Sequence, residues 1–241
     1  MVTLDLFLTP EEKCSYLPDR VSRSLFIDPC AALNPHMYEH LMAAGFRRSG
    51  SQVYTTRCDN CSACIPLRLP VSLFKPDRSQ RRTFRLNHDL DVHRVDEITD
   101  EHLQLYRKYM ASRHQDSPMA YYGLDECRQF MLADWCETQL LEFRLGQNLL
   151  AIAATDRLPN CLSAVYTYFD PDHARRALGV HAILSQIELA RQLQLDWLYL
   201  GFWIPGCAKM NYKANYLPLQ LRIDGEWRFF AAKSAIQMLS T

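Results

Sequence analysis

The sequence predicts a mixed α/β (α+β) fold with a mostly antiparallel sheet, preceded by a smaller part that carries cysteines. Three observations lead there. From Leu140 onward, LEFRL, LLAIAAT and CLSAVYTYF are strand-like runs separated by Gly146-Gln147-Asn148 and Leu158-Pro159-Asn160, the pattern of an antiparallel meander. Behind Gly179, the residues Val180, Ile183, Leu184, Ile187, Ala190 and Leu193 recur at helical spacing. Well before the meander, Cys58, Cys61 and Cys64 stand three residues apart in a loop-like stretch.

The other elements follow from local signals. Residues up to 33 are broken by Pro10, Pro18 and Pro29 and read as irregular. Asn34 as N-cap, Pro35 at the first helical position and Gly45 just past the end mark a helix with Tyr38, Leu41 and Met42 on its apolar side. Val53–Thr56 and Leu67–Val71 read as strands on either side of the cysteines, and Arg78–Arg82 as a basic strand at a sheet edge. Thr99 caps a second helix. Its first turn carries Asp100 and Glu101 and its end carries Arg113 and His114, the charge order that the helix dipole favours. A loop with Pro118 and Gly123 follows, then a helix expected over Leu124–Glu137. Trp197–Phe202 is a short buried strand ended by Pro205-Gly206, and Asp224-Gly225 is a two-residue hairpin turn. The expected division is an N-terminal domain, residues 1–95, and a C-terminal domain, residues 96–241.

Composition removes several function classes. The chain has 241 residues, 48% of them hydrophobic and 22% charged, enough apolar material for a core without staples. Its formal net charge is zero, so nucleic acid would be met by a local patch; Arg78, Arg81, Arg82 and Arg85 form the densest one. The nine cysteines are an odd number, and the N-terminus lacks a secretory apolar run, so reduced thiols in the cytoplasm are expected. No apolar stretch approaches the about 20 residues that cross a bilayer, and no membrane partner is expected.

The order helix, helix, three antiparallel strands, long helix, strand resembles the N-acyltransferase fold of the GNAT class. In that fold, backbone N–H groups at the turn into the long helix cradle a pyrophosphate. Arg176-Ala-Leu-Gly179-Val-His181 is a degenerate copy of the turn, with His181 in place of its second glycine. On this stretch alone a plain strand-to-helix turn is the better reading, and an acyl-CoA N-acetyltransferase loses its main signature.

Eight further stretches occur in order: Cys14-Ser-Tyr-Leu-Pro18, Gly45-Phe-Arg-Arg-Ser-Gly50, Cys58-x-x-Cys-x-x-Cys-Ile-Pro-Leu-Arg68, Ser79-Gln-Arg-Arg82, Tyr166-x-Tyr-Phe-Asp-Pro171, Leu178-Gly179, Tyr199-Leu-Gly-Phe-Trp-Ile204 and Lys209-Met-Asn-Tyr-Lys-Ala214. Together they resemble the aminoacyl-tRNA–protein transferases over about residues 14 to 228. The branch that the motifs most resemble is the bacterial aspartate/glutamate leucyltransferases, relatives of the eukaryotic arginyltransferases.

The resemblance implies an enzyme that moves an aminoacyl group, leucine before arginine, from charged tRNA to the α-amino group of proteins beginning with Asp or Glu, marking them for N-end-rule degradation. An acidic side chain calls for a guanidinium or ammonium, and a single-stranded CCA end calls for basic groups and aromatic faces. Candidate substrate and tRNA contacts are therefore Arg78, Ser79, Gln80, Arg81 and Arg82, together with Tyr168, Arg176, Gly179, Trp203, Asn211, Tyr212 and Lys213. Lys209 and Lys213, four apart, are expected to share a helical face. For catalysis, Asp170 is the first choice of base, beside Tyr166 and Lys209; a cap ahead of Pro171 is the competing reading of Asp170.

No cofactor is required by this chemistry. Cys14, Cys58, Cys61 and Cys64 have two readings: ligands of zinc or an iron–sulfur cluster, or small thiols in a tight scaffolding turn. Leu17 stands where the eukaryotic relatives carry the second cysteine of Cys-Gly-Tyr-Cys, which favours the scaffold. A non-enzymatic zinc or iron–sulfur nucleic-acid module is the remaining alternative, but it leaves the Tyr166–Lys213 constellation unexplained.

Overall fold

A computed structural model describes residues 3–240. The chain opens with short strands: β1 (Leu6–Leu8), the ribbon β2 (Glu12–Lys13) and β3 (Val21–Ser22), and β4 (Ser24–Ile27). Helix α1 (Pro35–Ala43) follows. The Asn34 side chain accepts from the Met37 N–H at 3.0 Å, and Gly45 at φ +98° lies beyond the last turn, so both expected end signals act as written. Strands β5 (Arg47–Ser49) and β6 (Gln52–Thr56) then complete a four-stranded sheet in the order β1-β4-β6-β5.

The cysteine loop carries the chain out of this small sheet. Strand β7 (Ile65–Pro70), helix α2 (Arg78–Leu86) and strand β8 (Asp91–Val95) join the large body, which continues with α3 (Asp100–Arg113), α4 (Leu124–Met131), β9 (Glu137–Leu145), β10 (Asn148–Arg157) and β11 (Cys161–Phe169). Helix α5 (Leu178–Gln192), β12 (Trp197–Trp203), the hairpin β13 (Leu219–Ile223) and β14 (Glu226–Phe230), and the short α6 (Lys233–Gln237) end the fold. The large sheet has eight strands in the order β14-β13-β7-β12-β11-β10-β9-β8. Strands β7 and β8 thus come from residues before 96. The hairpin turns where expected, with Asp224 at φ +53° and Gly225 at φ +84°.

The sheet is antiparallel except at one place. The meander β9–β10–β11 pairs along its length, whereas β12 runs parallel to β11. That parallel ladder holds only Cys161↔Trp197, Leu162↔Leu198 and Ser163↔Tyr199. Beyond Ser163 and Tyr199 the two strands separate, and a wedge opens in mid-sheet. Its other wall is closed, because β12 pairs with β7 as far as Trp203↔Ile65. Helix α5 covers one face of the sheet and α2 packs on α5; α3 and α4 cover the other.

Two expectations change. Arg78–Arg82 is helical, not an edge strand. Asp77 and Gln80 form a reciprocal capping box, with the Gln80 N–H donating to Asp77 at 2.8 Å and the Asp77 N–H to the Gln80 side chain at 2.9 Å. Arg78, Arg81, Arg82 and Arg85 are spaced for one helical face, while Gln80, Thr83 and Asn87 turn inward. Helix α4 also stops at Met131 instead of running to Glu137. The Met131 carbonyl, which a continuing helix would offer to the N–H four residues on, instead accepts from Arg48 Nη2 at 2.7 Å.

Arg48 is the joint between the two sheets. Its guanidinium Nε donates to Asp156 Oδ2 at 2.7 Å, and Nη1 donates to the Gly50 carbonyl at 2.9 Å. Thr138 adds a hydroxyl that donates to Asp156 Oδ1 at 2.7 Å. Both charged side chains are 0% exposed. Replacing Arg48 by Met leaves a buried carboxylate without its cation and is expected to lower stability by about 3–5 kcal/mol. Urea unfolding measures this, and Arg48→Met with Asp156→Leu together should lose less than Arg48→Met alone.

Candidate functional site

The wedge between β11 and β12 is lined from three directions. On the β12 side, Gly201 sits where β12 has left β11, at a bulge in its pairing with β7, with φ +76°. Glycine is required there twice over. The backbone is left-handed, and a Cβ would collide with the Arg47 guanidinium. Arg47 comes from β5 and its charge also lies 5.3 Å from the centre of the Phe202 ring. Tyr54, its partner across β5 and β6, meets the same ring edge-on at 6.4 Å.

Behind Phe202, the turn Ile204–Gly206 brings the chain back as a 3-10 turn over Asn211–Asn215. Lys213 points inward from it, 5% exposed, and Nζ donates to the Phe202 carbonyl at 2.8 Å. Burial holds this ammonium well below the usual lysine range, the Arg47 charge pushes the same way, and Cys207 opposes them. Among the described residues neither Arg47 nor Lys213 pairs with a carboxylate. The wedge therefore has a cationic floor.

The β11 side supplies the opposite wall. Phe169 meets Tyr109 of α3 edge-on at 5.1 Å, and the Arg113 guanidinium lies 5.9 Å from the Phe169 ring. His114 lies 5.7 Å from the Tyr109 ring. Burial lowers the His114 pKa, and the Lys209 and Arg113 charges lower it further, which places Lys209 at this rim. Tyr212 is 43% exposed, and its pKa is raised by burial, with Arg47 opposing and Tyr109 adding to the rise.

The sequence patterns of the arginine-tRNA-protein transferase N terminus and C terminus match residues 12–82 and 101–223, respectively. The chain belongs to the arginine-tRNA-protein transferase family. It is 48% identical over 226 residues to a Hahella chejuensis protein called aspartate/glutamate leucyltransferase, covering 93% of this chain and 97% of that one. A protein of the same name from Teredinibacter turnerae is 46% identical over 239 residues, covering 98% of each. Among solved structures, FemX shares the fold with a TM-score of 0.52 at 10% identity, over 84% of this chain and 70% of that one.

In this family member the residues singled out from sequence fall into separate groups. Lys213 and Tyr212 belong to the wedge, with Lys209 at its rim. Lys209 and Lys213 do not share a helical face: Lys209 is exposed, Lys213 is buried, and only the second lies in the 3-10 turn. Asn211 is exposed on that turn. Tyr166 donates to the Met110 sulfur at 3.6 Å, Tyr168 is fully buried, and Trp203 is 3% exposed; all three rings are packed in the cores.

Asp170 caps the turn Pro171–Arg176 by accepting from the Asp172 N–H at 2.9 Å, and Lys108 Nζ lies 2.6 Å from its Oδ1. Burial pushes its pKa up, but Lys108 and the backbone N–H outweigh it and hold the carboxyl below the usual range. Arg176 grips Asp89 with two bonds of 2.8 Å and ties the lead-in of α5 to the end of α2. Gly179 admits Phe169, whose ring carbon would stand 3.2 Å from a Cβ there. Gln80 donates to the Asn215 carbonyl at 3.1 Å, and Arg81 to Pro76 at 2.6 Å, whereas Arg78 and Arg82 are exposed with no partner among the described residues. Ser79 is exposed beside them.

The cysteines lie against the wedge's outer wall. Cys64 packs with Phe202, Cys207 and Tyr16. Its thiol is pushed up to about 11, first by burial; a Thr56 hydrogen bond opposes this, and the neighbouring Cys14, Cys58 and Cys61 add to it. Cys14 Sγ accepts from the Leu17 N–H at 3.5 Å and Cys58 Sγ from the Arg23 N–H at 3.4 Å. Among the described residues, no group of three or more His, Cys, Asp or Glu side chains gathers to hold a metal ion.

Arg47 and Gly201 are the residues that sequence reasoning missed as site residues. Both lie inside motifs that carried the family resemblance, Gly45–Gly50 and Tyr199–Ile204, but nothing local says that the two meet.

His181 supplies a pH test of the packing between α2 and the sheet. Its ring is held edge-on by Phe84 at 5.5 Å and Phe143 at 5.3 Å, with neither nitrogen hydrogen-bonded. Burial pulls its pKa down to about 4, and Arg176 adds to the drop while Asp89 opposes. An unfolded histidine titrates near about 6.5. Between these values the unfolded chain binds more protons, so stability falls as pH drops from about 6.5 to about 4, by up to about 3 kcal/mol from this residue. His181→Phe should flatten that slope in urea unfolding across the window, whatever its effect at pH 8.

Proposed function

We propose that the chain transfers a leucyl group from charged tRNA to the α-amino group of proteins that begin with Asp or Glu, on a GNAT-like scaffold, in the cytoplasm where charged tRNA is made. The observation that carries this reading is the 46–48% identity to two leucyltransferases along nearly the whole chain. The geometry supports it. A sheet splayed between two strands offers an extended slot with unpaired backbone edges, suited to a peptide end and an aminoacyl ester meeting inside.

The chemistry asks little of a base. The amine nitrogen attacks the ester carbonyl carbon, the bond from that carbon to the ribose oxygen breaks, and the ribose oxygen takes up a proton as the amine loses one. The attacking α-amino group must be neutral, and its ordinary pKa is near ~8. A neighbouring cationic floor lowers that value further, so more amine is reactive at neutral pH. Positioning then supplies most of the rate. Asp170, held by Lys108, serves this scheme as a fixed anchor for the end of β11. Lys209 and His114 at the rim are within the region where the departing ribose would leave.

The outward arginines of α2 are the proposed tRNA surface. Arg78 and Arg82 lie one helical turn apart and have no partner among the described residues to give up. The Gln80 bond to Asn215 fastens this helix to the turn that carries Lys213.

The deciding assay incubates the protein with Leu-tRNA or Arg-tRNA and peptides that begin with Asp, Glu or Ala, read by peptide mass. A one-leucine shift on Asp and Glu peptides only is expected; an arginine shift would change the donor. Transfer from acetyl-CoA instead, or tRNA binding without any transfer, would overturn the reading. Separately, Arg78→Ala with Arg82→Ala should weaken tRNA binding and reduce the slope of log affinity against log salt by about one for each phosphate that is no longer neutralised.

A further inference from the structure

We propose that Arg47, seated on Gly201 at the mouth of the wedge, is the residue that reads the acidic first side chain of the protein substrate. This rests on the reading of the reaction given above and deepens it by naming the determinant of specificity.

Placement comes first. On a strand, neighbouring side chains point to opposite faces. Arg48 of β5 is committed to Asp156, so Arg47 is sent the other way, onto β12. There its guanidinium lies where any side chain at position 201 would stand. The contact is therefore built into the backbone at the point where the sheet opens.

Its lack of an anion comes second. Arg48, Arg144 and Arg176 each have a carboxylate, namely Asp156, Glu101 with Glu142, and Asp89, while the half-buried Arg68 and Arg222 give their hydrogen bonds to Gln220, Tyr199 and the Ala43 carbonyl. Arg47 is half-buried, lies on Gly201 and the Phe202 ring, and among the described residues has no side-chain hydrogen bond or ion pair. Burying an uncompensated cation is unfavourable, and a bound carboxylate would offset that cost. Lys213, buried behind Phe202, gives its own hydrogen bond to the Phe202 carbonyl and brings no carboxylate to Arg47.

Chemistry selects the ligand. A planar carboxylate accepts two parallel N–H bonds from a guanidinium, whereas a side-chain amide offers one oxygen and no charge. The aromatic surroundings keep water away and strengthen the pair. Burial drives the nearby Tyr16 phenol up to about 12, with Tyr54 adding to the rise and the Arg47 charge opposing it. Arg113 and Lys209 are exposed, where solvent and salt screen their charges, and they are poorer readers.

The test uses the full chain, Leu-tRNA, and peptides beginning with Asp, Glu, Asn or Ala, in wild type, Arg47→Met, Arg47→Lys and Gly201→Ala. Arg47→Met should raise the KM for Asp peptide by about 10- to 100-fold, the worth of a charged hydrogen-bonded pair. The KM for Leu-tRNA should stay within about twofold. The preference for Asp over Asn should collapse, and Arg47→Lys should restore it in part. Gly201→Ala should behave like Arg47→Met, because its methyl group displaces the guanidinium. Unchanged Asp-over-Asn preference in both folded Arg47→Met and Gly201→Ala would overturn the proposal, as would a defect confined to tRNA. If wild type transfers nothing to Asp peptide, the reaction is misread. Equilibrium binding of a fluorescent Asp peptide to wild type and Arg47→Met then decides the role of Arg47 alone: weaker binding to the variant supports it, and equal binding refutes it.

Discussion

The buried pair of Arg48 and Asp156 is the constraint on which the arrangement depends. It joins a small four-stranded sheet to the third strand from the far edge of a large one, and its other hydrogen bonds end α4 and hold the turn after β5. A buried ion pair is poor at adding net stability compared with apolar packing, but it is demanding about geometry. One register of β5 gives every nitrogen of the guanidinium an acceptor. That register also decides where the adjoining Arg47 goes. A structural ion pair and a site cation are thus consecutive residues with opposite assignments.

The wedge follows from a second economy of hydrogen bonds. Strands β11 and β12 pair for three residues and then part, which leaves backbone groups of both strands without ladder partners. On the β12 side, β7 takes one set of bonds and Lys213 takes the Phe202 carbonyl. An ammonium in such a place bears a desolvation cost, visible in its lowered pKa. The cost is tolerable because the carbonyl is met and the opening stays framed by Phe202, Trp203 and the turn after β12. Opening a sheet in this way provides a slot in the middle of a rigid scaffold, where loops alone would be less exact in placement.

The two proposed substrate surfaces are mechanically connected. Helix α2 faces outward with its arginines, while its inward Gln80 bonds to Asn215 of the turn that holds Lys213. Its far end is tied through Asn87 and Asp89 to Arg176, at the start of α5. A tRNA body on α2 and a protein N-terminus at Arg47 would therefore be held by one body, with the aminoacyl ester and the amine brought together in the wedge between them.

Sequence alone determined the elements whose signals are local. The α1 caps, the meander turns, the 3.6-residue stripe of α5 and the Asp224-Gly225 hairpin each rest on a few adjacent residues, and each formed where expected. The basic patch Arg78, Arg81, Arg82 and Arg85 was legible as a cluster, but its strand reading was wrong because the Asp77–Gln80 capping box that makes it helical went unread. Tertiary structure decided the rest. The end of α4 depends on an arginine more than eighty positions away in sequence. The aromatic residues divide between core and site by packing, which gives Tyr168 and Trp203 to the interior despite their motif neighbours. The site itself is a meeting of Arg47, Gly201 and Lys213, brought from three distant stretches. A lone arginine, a glycine and a lysine carry no local sign of one another; only the register of β5 and the parting of β11 from β12 put them within reach.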